Sequence, residues 1–152
     1  MAGRLTIWGA GELLTTFFGN LDAAKDPPSA FYLALVRLIA PTPYMSGAEL
    51  DEPDASDYAR VRVPNDTLNW ANPSSPQAIA NLMDVSFVPA VTDWGECRYW
   101  ALCNASTEGF NYLVGDLESP ILVVAGDTVV VSDGDLGVTL GPFYMADDED
   151  DA

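Results

Sequence analysis

The chain of 152 residues carries 23 acidic residues against 6 basic residues and no histidine, which gives a formal net charge of −17. This length suits one domain and leaves no room for two full cores. The lack of histidine excludes an imidazole base, a His–carboxylate dyad and a His-ligated metal, and the acidity predicts no nucleic acid partner and no anionic membrane surface. Hydrophobic residues make up 49% of the chain, so it can build a core.

The N-terminal part predicts an arm followed by a helix. Residues 1–9 carry no signal peptide, and no run of 18 apolar residues occurs in the sequence, so we expect folding in a cytosol and no transmembrane segment. Apolar side chains between Leu14 and Leu21 fall at helical spacing and predict a short amphipathic helix from Ala10 to Phe18.

The run into this helix imitates a dinucleotide-binding fingerprint. Gly9 and Gly11 supply its first two glycines, but the third position is Leu14, and Pro27-Pro28 interrupts the crossover to a second parallel strand. The two glycines are better explained as freedom for the chain to enter the helix, so we predict no nucleotide cofactor.

Short strand-like segments follow, separated by turn signals about every 8 to 12 residues. The predicted strands are Phe31–Leu38, Tyr58–Val63, Val85–Val88, Glu96–Asn104, Asn111–Leu117, Ile121–Val124, Thr128–Ser132 and Gly137–Leu140. No βαβ alternation is present. The pattern predicts an all-β fold, an antiparallel β-sandwich or jelly-roll-like domain over residues 10–143 with one short N-terminal helix.

Charge is concentrated in two appendages of this predicted core. The loop over residues 41–57 contains three prolines and five acids and is expected to project, and residues 144–152 form an acidic C-terminal tail. Between them, strict alternation over Tyr58–Val63 predicts a half-buried strand with Tyr58, Arg60 and Arg62 on the face opposite its alanine and valines.

The two cysteines, Cys97 and Cys103, are too few for a disulfide scaffold. In one strand they share a face but lie roughly 20 Å apart, so they cannot bond to each other. They are expected to be small buried apolar side chains, since a thiol metal site would need closer spacing and further ligands.

Other candidate chemistry is weak. Asp133-Gly-Asp135 and Asp51-Glu-x-Asp54 offer oxygen ligands but lack the twelve-residue calcium-loop pattern, and a glycosidase would need two carboxylates facing each other across a cleft. We therefore predict no metal, no cofactor and no enzymatic activity. Trp70 and Tyr44, the aromatic residues in loops, are the first candidates for contact with a partner, together with Tyr58, Arg60 and Arg62.

The order of the motifs resembles a family of small tail-fibre-like, decoration-type virion proteins of tailed bacteriophages. The matching motifs are Tyr58-Ala59-Arg60, Asp93-Trp94-Gly95 and Gly126-Asp127-Thr128, in a resemblance that spans about residues 11–140. The loop over residues 41–57 is more acidic and less glycine-rich than in the family, and the tail after Phe143 looks like an addition.

The resemblance implies a non-enzymatic structural protein of the virion, assembled in the host bacterial cytoplasm. Because the chain has no heptads or fibrous repeats, we predict a capsid decoration or stabilising protein on the outer head surface, bound to the major capsid protein or other virion proteins. The alternatives are a tail-fibre or other tail-associated component, and a carbohydrate- or receptor-binding module. Exposed sheet edges favour a homo-oligomer, a dimer or trimer, and the arm and tail are expected to order on assembly.

Overall fold

The computed structural model describes residues 3–18, 27–71 and 78–139. One helix, α1, spans Ile7–Phe18, and a single 3₁₀ turn spans Gly47–Glu49. The strands are β1 Gly3–Leu5, β2 Ala30–Val36, β3 Val61–Pro64, β4 Trp70–Ala71, β5 Ala78–Asn81, β6 Val85–Ser86, β7 Gly95–Cys103, β8 Asn111–Val123, β9 Val130–Val131 and β10 Gly137–Thr139.

The strands form three antiparallel sheets. The largest has five strands in the order β1-β8-β7-β2-β3, and the smaller ones have the orders β10-β5-β4 and β6-β9. The predicted all-β, antiparallel, sandwich-like fold with one short helix is confirmed. The apolar run of β2 lies between β7 and the edge strand β3, where it is buried over most of its length.

The N-terminal residues are part of this fold. β1 pairs with β8, with Arg4 opposite Val114. Thr6 then begins the helix: its buried hydroxyl accepts the Gly9 N–H at 3.0 Å, so it acts as an N-cap. At Gly9 a Cβ atom would collide with the Tyr112 carbonyl, so glycine allows the helix to approach β8 closely. Residues 3–9 of the predicted arm are therefore integrated into sheet and helix, and α1 begins three residues earlier than expected.

Strand boundaries differ from the expected ones where tertiary pairing decides them. The predicted strands Asn111–Leu117 and Ile121–Val124 are one strand, β8, because β7 pairs with both halves. β1, β4 and β5 were missed. β1 lies in the predicted N-terminal arm, and β4 and β5 flank a segment rich in proline and serine that carries turn signals.

Two apolar clusters lie on opposite faces of the large sheet. The larger one is enclosed with the help of the smaller sheets and contains Leu33, Leu35, Val63, Val85, Phe87, Ala90, Trp94, Cys97, Trp100, Leu102, Val123, Val131 and Leu136. The second contains Ala34, Val36, Leu50, Ala101, Cys103 and Val114. Leu50 comes from the acidic loop, which therefore covers the second face.

The loop over residues 41–57 was expected to project from the domain, but much of it packs against the large sheet, so that prediction is wrong. Leu50 is only 8% exposed, and the Arg37 N–H donates to the Asp51 carbonyl at 2.7 Å. Gly47 lies so close to the Glu108 carbonyl that a Cβ atom would not fit. The apolar residues among the acids are what attach this loop to the sheet. The predicted tail, residues 144–152, lies outside the described residues.

The two cysteines lie on opposite faces, which corrects the prediction that they share one. Cys97 belongs to the larger cluster and Cys103 to the second. The register between β7 and β8 shifts between Cys97 and Tyr99, so the alternation of side chains is interrupted there. Both thiols are free and buried.

The thiols are expected to be unreactive in the native protein. Burial raises the pKa of Cys97 to about 11 and that of Cys103 to about 12, and only thiolate reacts readily with disulfide reagents. A thiol-labelling assay at pH 7–8 should show two slow groups in the folded protein and two fast ones in urea. Fast native labelling of either cysteine would contradict the described core.

Candidate partner-binding surface

Arg60 lies in a buried polar cluster between the acidic loop and the turn before β8. Its Nε and Nη2 atoms donate to the two carboxylate oxygens of Glu52 at 2.9 and 2.7 Å. The remaining donors bond to the carbonyls of Ala105, Glu108 and Gly47 at 2.8–3.0 Å. All five guanidinium N–H groups are thus used within the protein, and the Arg60 side chain is 2% exposed.

The predicted alternation before β3 is therefore wrong. Ala59 is exposed and Arg60 is buried, because β3 begins only at Val61 and the preceding residues follow an irregular path. Arg60 holds two loops together and has no donor left for a partner, so it is not part of the contact surface proposed below.

Tyr58 is bound to the same carboxylate. Its hydroxyl donates to Glu52 Oε1 at 2.8 Å and accepts the Leu35 N–H at 3.0 Å. Burial and the neighbouring Glu52 raise the pKa of this phenol far above its ordinary value. The ring packs edge-to-face on Trp94, with centroids 5.2 Å apart. Tyr58 therefore connects the acidic loop, β2 and the core, and is half-buried.

The three recognised motifs meet at one end of the sandwich. The Asp57 carboxylate, next to the first motif, accepts the N–H groups of Val91 and Thr92 and the Trp94 indole N–H at 2.7–3.2 Å. The Asp93 side chain accepts the Ala125 N–H at 2.9 Å, just before the third motif. The carboxylates of Asp57 and Asp93 therefore hold neighbouring loops together.

Asp57 should make the stability of the protein pH-dependent. Hydrogen bonds from the Thr92 hydroxyl and the Val91 N–H lower the pKa of Asp57 well below its ordinary value of 3.8. The ionised Asp57 side chain therefore contributes its full stabilisation above about pH 3.8, the ordinary pKa of the unfolded-state carboxyl. This stabilisation is lost as the pH falls through the lower pKa of the folded state.

We expect Asp57→Ala to lower the thermal midpoint at pH 7, and the difference from the unmodified protein to shrink below about pH 3.8, where the unfolded-state carboxyl protonates. Differential scanning calorimetry between pH 2 and 7 measures this. Asp54→Ala, at an exposed position of the same loop, is the control. A difference that does not depend on pH would contradict the role of the charge.

Trp70 lines an apolar groove of about 400 Å³ between α1, the large sheet and the sheet of β4, β5 and β10. Phe31 stands edge-on to Trp70 and to Tyr112, with centroids 5.7 Å apart in both pairs. The Trp70 indole N–H donates to the Pro64 carbonyl at 3.0 Å, which fixes the ring. The groove could bury an apolar side chain, and of its three aromatic residues only Trp70 was singled out from the sequence.

Tyr44 belongs to a different surface, on the other side of α1. It is 70% exposed and lies in the loop whose Pro43 carbonyl accepts the Ile7 N–H at 3.1 Å. Next to it Trp8 stacks on Phe110, with ring planes 11° apart and centroids separated by 6.3 Å. We call Ile7, Trp8, Tyr44 and Phe110 the aromatic surface. Sequence reasoning found only Tyr44, although the aromatic residues beside the predicted helix and turn were a usable signal.

Arg62 is exposed on β3, where its backbone pairs with Tyr32. It lies in neither the groove nor the aromatic surface. The five residues singled out in the sequence are thus separated: Tyr58 and Arg60 share Glu52, whereas Trp70, Tyr44 and Arg62 occupy three different places.

Among the described residues, no group of three or more cysteine or acidic residues is arranged to hold a metal ion. Gly134 adopts φ 81°, which makes Asp133-Gly-Asp135 a turn that glycine favours. No helix among these residues is both long and apolar enough to cross a bilayer.

A family model described as Podophage GP4 fiber I protein gp80 matches residues 5–139. A search of curated proteins found no match. The matched region contains every described strand except part of β1, as well as the groove and the aromatic surface. The resemblance expected from the motifs is confirmed: this chain belongs to the Podophage GP4 fiber I protein gp80 family, a phage fibre family, which supports a structural role in the virion.

Proposed function

We propose that this protein is a non-enzymatic, fibre-associated component of the phage tail that acts by binding other virion proteins. The observation that carries the proposal is the family match over residues 5–139. The structure is compatible with it because the sequence motifs hold loops of a β domain together, while apolar and aromatic side chains remain exposed elsewhere.

The second candidate is the predicted decoration protein on the outer head surface. It is favoured by the architecture: the strands of the described residues pack into antiparallel sheets around a core, with no repeat among them that would build a fibre shaft. Both candidates involve binding without chemistry and differ in the position of the protein on the particle.

Electron microscopy of purified particles tests the two positions. Virions carrying a tagged copy of this protein should show additional density, or gold label, at the tail. Label on the head would replace the tail proposal by the decoration candidate. Particles that lack the protein by quantitative mass spectrometry would contradict any virion role.

A homo-oligomer remains a prediction. The edge strands of the large sheet, β1 and β3, have three and four residues, and β3 ends at Pro64, which cannot donate to a further strand. Short edges reduce the need for a symmetric partner to cover them. Analytical ultracentrifugation of the purified protein distinguishes a monomer from the predicted dimer or trimer.

Carbohydrate or receptor binding is supported by one feature, the three aromatic residues Phe31, Trp70 and Tyr112 in the groove. A glycan array with the purified protein tests it. Binding that is lost in Trp70→Ala and retained in Tyr44→Ala would support this function, and no binding to any glycan would count against it.

A further inference from the structure

The aromatic surface exposes large apolar area in a single place. Ile7 is 47% exposed, Tyr44 is 70% exposed and Phe110 is 36% exposed, with Trp8 half-buried between them. Three separate segments contribute these residues: the start of α1, the acidic loop and the turn before β8. Single exposed apolar residues are ordinary, but a cluster drawn from three segments is typical of an interaction surface.

The surface is also held in place before any partner binds. Ser46 forms a β-bridge with Phe110, and the Gly47 N–H donates to the Gly109 carbonyl at 2.7 Å. Arg60 bonds to carbonyls on both sides of this contact, those of Gly47 and Glu108. Because the loop and the turn are tied together, binding costs little conformational entropy there.

Three acidic residues adjoin the aromatic surface. Glu12 lines a shallow depression together with Ile7 and Trp8, and the Glu49 carboxylate accepts the Ser46 N–H at 2.8 Å next to the Ser46–Phe110 bridge. Glu108 is exposed two residues before Phe110, whereas Glu52 of the same loop is paired with Arg60 at 2.7 Å. A partner that covers the aromatic residues therefore meets a negative rim, and a second copy of this chain, with a net charge of −17, would be repelled.

We infer that the aromatic surface is the docking site for a basic segment of another virion protein, one that presents an apolar or aromatic side chain flanked by lysine or arginine. This inference rests on the proposed virion function and gives it a location and a partner chemistry. The apolar side chain covers Ile7 and Tyr44 next to the Trp8–Phe110 stack, and the flanking cations face the acidic rim.

The test uses particles assembled without this protein, to which purified full-length protein is added. The double variant Ile7→Ala/Tyr44→Ala should bind the particles at least about tenfold more weakly, because it truncates two of the exposed apolar side chains of the surface. The matched control, Leu68→Ala/Val91→Ala, changes two residues that are 73% and 74% exposed elsewhere. It should bind as the unmodified protein does.

Charge-reversal variants test whether the partner segment is basic. Glu108→Lys should weaken binding and flatten its dependence on salt, whereas Asp135→Lys, an exposed acid on another loop, should change neither. Circular dichroism and thermal midpoints establish that each variant is folded.

The outcomes separate this inference from the proposed function. Unmodified protein that does not bind the particles contradicts the virion role itself. Unmodified protein that binds, together with an Ile7→Ala/Tyr44→Ala variant that binds equally well, overturns the docking site alone. The docking site would also be overturned if the Ile7→Ala/Tyr44→Ala variant bound the particles fully but those particles no longer adsorbed to host cells. The aromatic surface would then face the host.

Discussion

Replacing Arg60 with alanine should lower the free energy of unfolding by about 3–5 kcal/mol, because it leaves one partner of a buried ion pair uncompensated. Glu52 would lose both of its guanidinium bonds, and the carbonyls of Gly47, Ala105 and Glu108 would lose their donor. Chemical denaturation with urea, followed by circular dichroism, measures the loss.

Arg62→Ala is the matched control for this prediction. Arg62 is an exposed arginine two residues further along the chain, so its removal should change the free energy of unfolding by less than about 0.5 kcal/mol. Arg60→Lys should fall between the two, because an ammonium group cannot bond to both carboxylate oxygens and three carbonyls in the same fork geometry. A loss below about 1 kcal/mol for Arg60→Ala would show that the described network contributes little.

Trp100→Ala should cost about 3–5 kcal/mol as well, through a cavity in the larger cluster. Trp100 is 1% exposed in the centre of β7, between Leu35 on β2 and Gly115 on β8. Its ring lies directly over Gly3, where a Cβ atom would overlap it. Removal of the ring therefore empties space that several strands share, and urea unfolding should show the loss.

Trp100→Phe separates the contribution of the ring from that of its polar atom. The indole Nε1 is buried without a hydrogen-bond partner among the residues that the structure describes. Phenylalanine keeps most of the apolar contact and removes this unsatisfied donor, so the variant should lose clearly less stability than Trp100→Ala. Tyr44→Ala, which truncates an exposed aromatic residue, is the control with a change near zero. Equal losses for the two Trp100 variants would contradict the cavity explanation.

Sequence reasoning worked best where one local signal was sufficient. Phe31–Leu38 is an apolar run, and the structure places β2 there, ending two residues early. The predicted helix ends at Phe18 as expected, and β7 differs from its predicted range by one residue at each end. In these segments periodicity and turn residues agree with the tertiary pairing.

The candidate surface could be predicted only in part. Tyr44 was found because it is an aromatic residue in a polar loop, but Ile7, Trp8 and Phe110 reach it through contacts between distant segments. Arg60 was assigned to an exposed face because strict alternation was assumed up to Tyr58, whereas the observed strand starts at Val61. A short buried arginine network leaves no periodic signal in a sequence.

The sequence by itself determined the fold class, the lack of imidazole chemistry and the family, because these depend on composition, periodicity and the order of short motifs. The tertiary structure alone decided that the acidic loop lies on the sheet, that Cys97 and Cys103 face opposite sides, and that α1 separates a groove from the aromatic surface. These features depend on strand register and on pairing between residues as distant as Gly47 and Gly109. Such pairings are fixed by the packing of the whole domain and not by local residue patterns.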